Sequence, residues 1–197
     1  MSIHPKEEKT VVLIKPDGVK RGLTGEIIRR IEMRGLKIIA LEMIWPSEQQ
    51  IDDHYPKDNE WMERIGQKTL KNYAEHNLNI QEELGTNDRL TIGKMVRGWL
   101  IGYMTSAPLV KIVVKGIHAV DMVRKICGGT MPAQADMGTI RGDFSVDDAT
   151  AANRDRRAIH NIVHASETPK EAEHEIEQWF SPEEIHEYKR AEEEVMF

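Results

Sequence analysis

Short β-branched apolar runs alternate along this chain with longer amphipathic stretches. TVVLIKP, from Thr10, is apolar until proline stops it, which predicts a buried strand. DGVKRGLTG follows with glycines at 18, 22 and 25 and reads as a loop. In GEIIRRIEM, Ile27, Ile28 and Ile31 fall at helical spacing and Gly35 closes the helix. LKIIALEMIW predicts a second strand before Pro46. Residues 47 to roughly 88 are polar with few strong apolar runs, and read as short helices. TIGKMVRGWLIGYM predicts a helix, APLVKIVVKG a third strand, and IHAVDMVRKI a helix ending at Gly128-Gly129. A turn-rich segment, GTMPAQADMGTIRGDF, leads to SVDDATAANRDRRA, read as an exposed excursion, and NIVHAS is a fourth strand. Thr168-Pro169-Lys170-Glu171 and Ser181-Pro182-Glu183-Glu184 each have the form of a capping box with proline at the first helical position.

This order predicts an α/β fold: a ferredoxin-like α/β sandwich with a four-stranded antiparallel sheet and surrounding helices, plus a helical insertion. One domain is expected over 1–197, with the insertion at about 56–94 and a lengthened loop at about 145–158. Composition narrows the classes. At 40% hydrophobic and 30% charged residues the chain suits a soluble globular protein. The net charge of −6 argues against a general nucleic-acid binder, while leaving room for a local anion site. MSIHPKEEKT lacks the apolar core of a secretory signal, and no apolar run is long enough to cross a bilayer. Cys127 is the only cysteine, which agrees with a reducing, cytoplasmic setting.

Familiar nucleotide signatures fail. Gly18, Gly22 and Gly25 fit neither G-x-x-x-x-G-K-[ST] nor G-x-G-x-x-G. His160 and His164 stand four apart but lack the glutamate of H-E-x-x-H, so a metal-dependent hydrolase rests only on the pair. More telling are cations at strand ends and in loops: Lys15 closing the first strand, Arg124 near a helix end, and Arg141 in GTIRGDF. Arginine grips phosphate oxygens with a planar fork and lysine acts as a mobile point charge. An imidazole, with an ordinary pKa of about 6.5, offers a neutral nucleophile near pH 7. His164 stands just before the helix start at Thr168, whose N-terminus would favour an anion if it pointed at the site. Glu175 lies two turns into that helix, where a carboxylate can orient the ring.

VVLIKPDGVKRGLTGEII, GTIRGDF and NIVHAS…EAEHEIEQWFSPEE, in this order, resemble the nucleoside diphosphate kinases, with matching blocks over most of 10–44 and 97–188. The resemblance implies ping-pong transfer of a γ-phosphate from a nucleoside triphosphate to a nucleoside diphosphate through a pros-phosphohistidine at His164. It implies supporting roles for Lys15, Tyr55, Ser166 and Glu175. It implies nucleotide contacts from Lys15, Arg124, Thr130, Arg141 and Asn161, Mg2+ held through the nucleotide phosphates, and a homo-oligomer, tetramer or hexamer. His160 matches nothing functional. Departures from the family pattern are Ala165 and Glu167 around Ser166, Met131, Met137, and Val96 near the place of the base-stacking aromatic. A nucleotide-binding regulator on the same fold is the alternative.

Overall fold

A computed structural model describes residues 6–191. Its centre is a four-stranded antiparallel sheet of β1 (Glu7–Ile14), β2 (Lys37–Ile44), β3 (Leu109–Ile117) and β4 (Val163–Ala165), in the order β2-β3-β1-β4. This is the predicted ferredoxin-like arrangement. β1 lies between β3 and β4, and Val11 to Ile14 are fully buried. Alternation along the strand sends Val12 and Ile14 to one face and Val11 and Leu13 to the other. The first face is closed by Ile27 and Ile31 of α2 (Thr24–Met33) and by Val123 and Cys127 of α7 (Ala119–Cys127). The second is closed by Ile51 of α3 (Glu48–His54), Tyr103 and Met104 of α6 (Arg89–Met104), and Trp179 of α10 (Pro169–Trp179).

Four expectations are corrected. The loop after Lys15 opens with a short helix, α1 (Pro16–Lys20), because proline at its first position presets φ and Asp17 sits in the first turn. The polar stretch from 47 holds one long helix, α4 (Asn59–Glu75), besides α3 and the short α5 (Ile80–Leu84). Asp58 caps α4 by accepting from the Trp61 N–H. α4 buries Met62, Gly66, Thr69 and Tyr73, and Tyr73 joins Ile80, Leu84 and Ile92 in a third small core.

The segment 145–158 is no exposed excursion. It forms α9 (Ala149–Arg154), which follows α8 (Ile140–Phe144) and buries Ala152 and Asn153. The Asn153 and Thr150 side chains both bond Asn72 on α4. Finally, Ser181 does close a capping box, yet only a 3-10 turn, Pro182–Glu184, follows. The chain then runs extended beside β2, where the His186 N–H donates to the Ile39 carbonyl at 2.8 Å. A bulge between Ile38 and Ala40 breaks the β2 ladder at that carbonyl. Docking on this edge and the pairing of Glu184 with the buried Lys111 at 2.9 Å displace the helix.

α4 and α6 meet backbone to backbone. A Cβ at Gly66 would lie 1.8 Å from the Arg89 carbonyl oxygen, and one at Gly93 would lie 1.9 Å from that of Met62. No other residue fits at either position without separating the helices. From α6, Arg97 reaches back to Asp52 (2.7 Å to Oδ1, 2.8 Å to the carbonyl) and to the Tyr55 carbonyl (3.2 Å), clamping the end of α3. Among the described residues no helix is long and apolar enough to cross a membrane.

Candidate active site

Beside β4 lies a cavity of about 340 Å³ whose wall includes Lys15, Arg124, Thr130, Arg141, Asn161 and His164. Six residues from four stretches of the sequence thus meet at one place. Lys15 ends β1, and its N–H is fixed on the Ile162 carbonyl at 2.8 Å. Its ammonium is buried and donates to Asn161 Oδ1 at 2.7 Å. Burial first, then the Arg141 guanidinium, pull the Lys15 pKa down to about 8, against the opposing pull of Asp17. Asn161 Nδ2 donates in turn to the Thr130 carbonyl at 3.1 Å.

The two arginines are held differently. Arg141, on α8 and buried, donates to the carbonyls of Gly128 (2.5 Å), Val163 (2.7 Å) and Asn161 (3.2 Å). It therefore braces the loop and β4 while its charge stays on the cavity wall. Arg124 is 44% exposed at its side chain, with Glu167 3.9 Å away. A surface pair of that length is worth little, so Arg124 is available to an incoming anion.

His164 sits on β4 opposite Leu13, with its side chain 21% exposed. Its Nε2 lies 2.6 Å from Glu175 Oε1. The other Glu175 oxygen accepts from Ser166 Oγ at 2.6 Å, and Ser166 Oγ accepts from the Val11 N–H at 3.2 Å. Burial works against the Glu175 charge, but the His164 bond and its charge, with Ser166 and His54, hold the carboxyl below its ordinary range. With a carboxylate at Nε2, the ring proton lies there and the Nδ1 lone pair is left for chemistry. Two residues before His164, Ile162 takes φ 68°, a costly conformation for a β-branched side chain. Asp17 holds it there. One Asp17 oxygen accepts from the Ile162 N–H at 3.1 Å, and the other accepts from Tyr103 Oη at 2.5 Å.

Not every expected group lines the cavity. The Tyr55 ring is absent from the cavity wall and packs in the second core, 5.0 Å from the His54 ring. The ring of His160 stacks on Tyr103 at 5.0 Å, so the two histidines four apart form no metal pair. At the α10 N-terminus Thr168 Oγ1 accepts from the Glu171 N–H, and Glu171 Oε2 accepts from the Glu167 N–H at 2.6 Å. The reciprocal bond of a capping box at Thr168 is thereby lost. Val96 turns into the third core and presents no platform at the cavity. Three residues went unforeseen: Asp17, Tyr103 and above all His54, whose ring stands 4.7 Å from that of His164. Asp17 lies within the KPDGV block and His54 beside Tyr55 in DHYP, but nothing local marks either as a partner of β4.

Among the described residues, the one group of three His, Cys, Asp or Glu ligand atoms close enough to share a metal ion is His54, His164 and Glu175, within 4.8 Å. Two nitrogens and one oxygen do not suit magnesium, which takes oxygen ligands. On the cavity wall, Glu167 and Glu171 are the carboxylates: Glu171 is engaged by the Glu167 N–H, while Glu167, 74% exposed at its side chain, has only the long pair with Arg124.

A ferredoxin-like sandwich that presents an imidazole in a cleft with three cations has the groups that handling phosphate requires. The chain's relatives are specific. The family model for nucleoside diphosphate kinase matches residues 8–65 and 58–185, and the chain belongs to that family. It is 47% identical over 178 residues to the nucleoside diphosphate kinase of Pyrobaculum aerophilum, covering 90% of this chain and 97% of the relative. The Pyrococcus furiosus enzyme is 40% identical, covering 93% of this chain and 89% of the relative. Among solved structures, an NDP kinase from Pyrobaculum aerophilum superposes with TM-score 0.89 at 46% identity, covering 92% of this chain and 100% of the other. A Borrelia burgdorferi nucleoside-diphosphate kinase, a transition-state mimic with bound vanadate and ADP, gives 0.78 at 33% identity, covering 96% of each chain.

Proposed function

We propose that this protein is a nucleoside diphosphate kinase using His164 as its phosphate carrier. One observation carries the reading: Nε2 of His164 is tied to Glu175, while Lys15, Arg124, Arg141, Asn161 and Thr130 line the same cavity. In the first half-reaction the Nδ1 lone pair attacks the γ-phosphorus of a bound nucleoside triphosphate, and the bond to the β-phosphate oxygen breaks. The electron pair leaves with the nucleoside diphosphate, and the ring gains positive charge that the Glu175 carboxylate offsets. In the second, a terminal oxygen of another diphosphate attacks the phosphorus and His164 is regenerated. The transition state spreads charge over phosphoryl oxygens, so fixed cations matter more than proton transfer. Lys15, with its depressed pKa, and Arg124 supply that charge, and Arg141 adds its field while bracing β4.

A divalent cation, magnesium by its preference for oxygen ligands, would screen the phosphates while riding on them, since the described residues offer no oxygen cage for it. With no aromatic at position 96, base recognition is loose and the phosphate end dominates binding. We place the protein in the cytoplasm, in keeping with its single, buried, unpaired Cys127. It assembles as a homo-oligomer, tetramer or hexamer. Support comes from β2, an edge strand that leaves Leu41, Met43 and nearby Trp45 exposed at 48%, 55% and 68%.

Incubation with γ-labelled ATP tests the reading. A protein-bound label that survives alkali, is lost in acid, passes to GDP and is missing in His164→Ala is expected. Full activity in that variant would refute it.

A further inference from the structure

The His54 side chain is only 2% exposed, yet it is an imidazole rather than an apolar ring. Its ring stands edge-on to that of His164, with centroids 4.7 Å apart and planes at 87°. Its Nδ1 lies 3.7 Å from Glu175 Oε1, the oxygen that His164 uses. A proton on that nitrogen would let His54 compete with His164 for the carboxylate. Trp179 forestalls this. Its indole Nε1 points at His54 Nδ1 from 3.3 Å, and an indole N–H can only donate. The His54 lone pair is therefore occupied and the ring is held neutral, with its proton on Nε2. Burial first, then His164, Lys15 and His174, take its pKa down to about 3 against the opposing pull of Glu175. Tyr55 and Trp179 complete its surroundings with rings at 5.0 and 5.5 Å.

We propose that His54, locked by Trp179, is a positioning residue: an uncharged wall that reserves Glu175 Oε1 for His164 and holds the His164 ring with Nδ1 toward the phosphate. This rests on the kinase reading for its consequence in turnover, but not for its effect on the ring. A neutral wall excludes water from the Glu175–His164 bond, and a ring that cannot tip keeps one nitrogen in line with the phosphorus. The notable design is that a polar side chain does this work. Phenylalanine could fill the space but would leave the Trp179 N–H without an acceptor.

The test compares His54→Ala, His54→Phe and Trp179→Phe with the wild type, after near-UV circular dichroism establishes that each is folded. Two-bond proton–nitrogen NMR spectra of the nucleotide-free proteins read the His164 tautomer. The wild type and His54→Phe should show a single Nε2–H form, and His54→Ala a mixture. With nucleotides, His54→Ala should lose on the order of 10- to 100-fold in kcat with KM little changed. It should also yield some phosphate on Nε2, whereas His54→Phe stays within about threefold of wild type. Trp179→Phe frees the His54 lone pair, so its pH–rate profile should fall off at a higher pH than the wild type as the solution is acidified. An unaltered His164 tautomer in His54→Ala, or turnover of that variant within about twofold of wild type, would overturn the proposal. If the tautomer shifts as expected while the wild type shows no phosphotransfer, positioning stands and the kinase reading falls.

Discussion

Replacing Lys15 by methionine should make the protein more stable and abolish its function. Lys15 is 7% exposed, has Arg141 for a neighbour, and titrates at about 8 instead of 10.5. At about 1.36 kcal/mol per pH unit, that displacement means the charged form costs roughly 3 kcal/mol in the folded state. Methionine removes this cost and keeps most of the volume. It also deletes the bond to Asn161 Oδ1 and leaves that oxygen unpartnered, a loss of about 1–2 kcal/mol. The net expectation is a gain of about 1–2 kcal/mol at pH 7. The sign with pH follows from the depressed value. Below about 8 both folded and unfolded wild type carry the proton and the full penalty applies; between about 8 and 10.5 the unfolded chain binds more protons, so wild-type stability rises. The variant's advantage should therefore shrink over that interval and reverse before its upper end. Urea unfolding at pH 7 and pH 10.5, at fixed protein concentration so that assembly does not intrude, measures both. A variant less stable than wild type at pH 7, or an advantage that does not diminish with rising pH, would refute the reasoning.

Three further outcomes are expected. Glu175→Gln should lower the rate of His164 phosphorylation by about 10- to 30-fold in a quenched-flow assay, because a neutral amide stabilises the forming imidazolium less and can turn its NH2 toward Nε2. Its stability should lack the acid-side loss of wild type, since the depressed carboxyl contributes stability above its ordinary 4.5 that disappears as pH falls through its folded value. Thr10→Val should raise stability by about 1 kcal/mol in urea, because Thr10 Oγ1 is buried with no hydrogen-bond partner among the described residues. Asp17→Ala should cost roughly 3–5 kcal/mol by stranding both the Ile162 N–H and the Tyr103 hydroxyl, whereas Asp17→Asn, which can accept one bond and donate the other, should cost about 1; equal losses would undo this assignment.

What could be read from the sequence divides along physical lines. The four strands announce themselves because β-branched runs such as TVVL and KIVV are rare outside buried sheet. α4 was harder to see as one helix because its inner face is Met62, Gly66, Thr69 and Tyr73, where packing depends on a glycine and a threonine rather than on leucines. α1 is five residues with a glycine inside, too short for periodicity to register. The helix expected after Ser181 had the right local chemistry, and lost to a long-range competitor, the free edge at Ile39, that no local pattern contains. The six cavity residues were legible through the family blocks, but their joint placement was not legible from spacing. His54 and Trp179 meet across 125 positions, and Asp17 and Ile162 across 145, so their partnership exists only once the sheet has brought them together.

The two glycines where α4 and α6 touch have a reach beyond the insertion. Because nothing cushions that junction, α6 is a rod braced at one end, and it leads to His164 by two routes. Through Arg97 it grips the end of α3 that carries His54, and through Tyr103 it steadies Asp17 and the bent backbone at Ile162. The helical hairpin thus serves as a buttress for a histidine it does not border. A methyl group added at position 66 or 93 would have to part the two helices, and the strain would fall on the Arg97 and Tyr103 contacts that lead to β4.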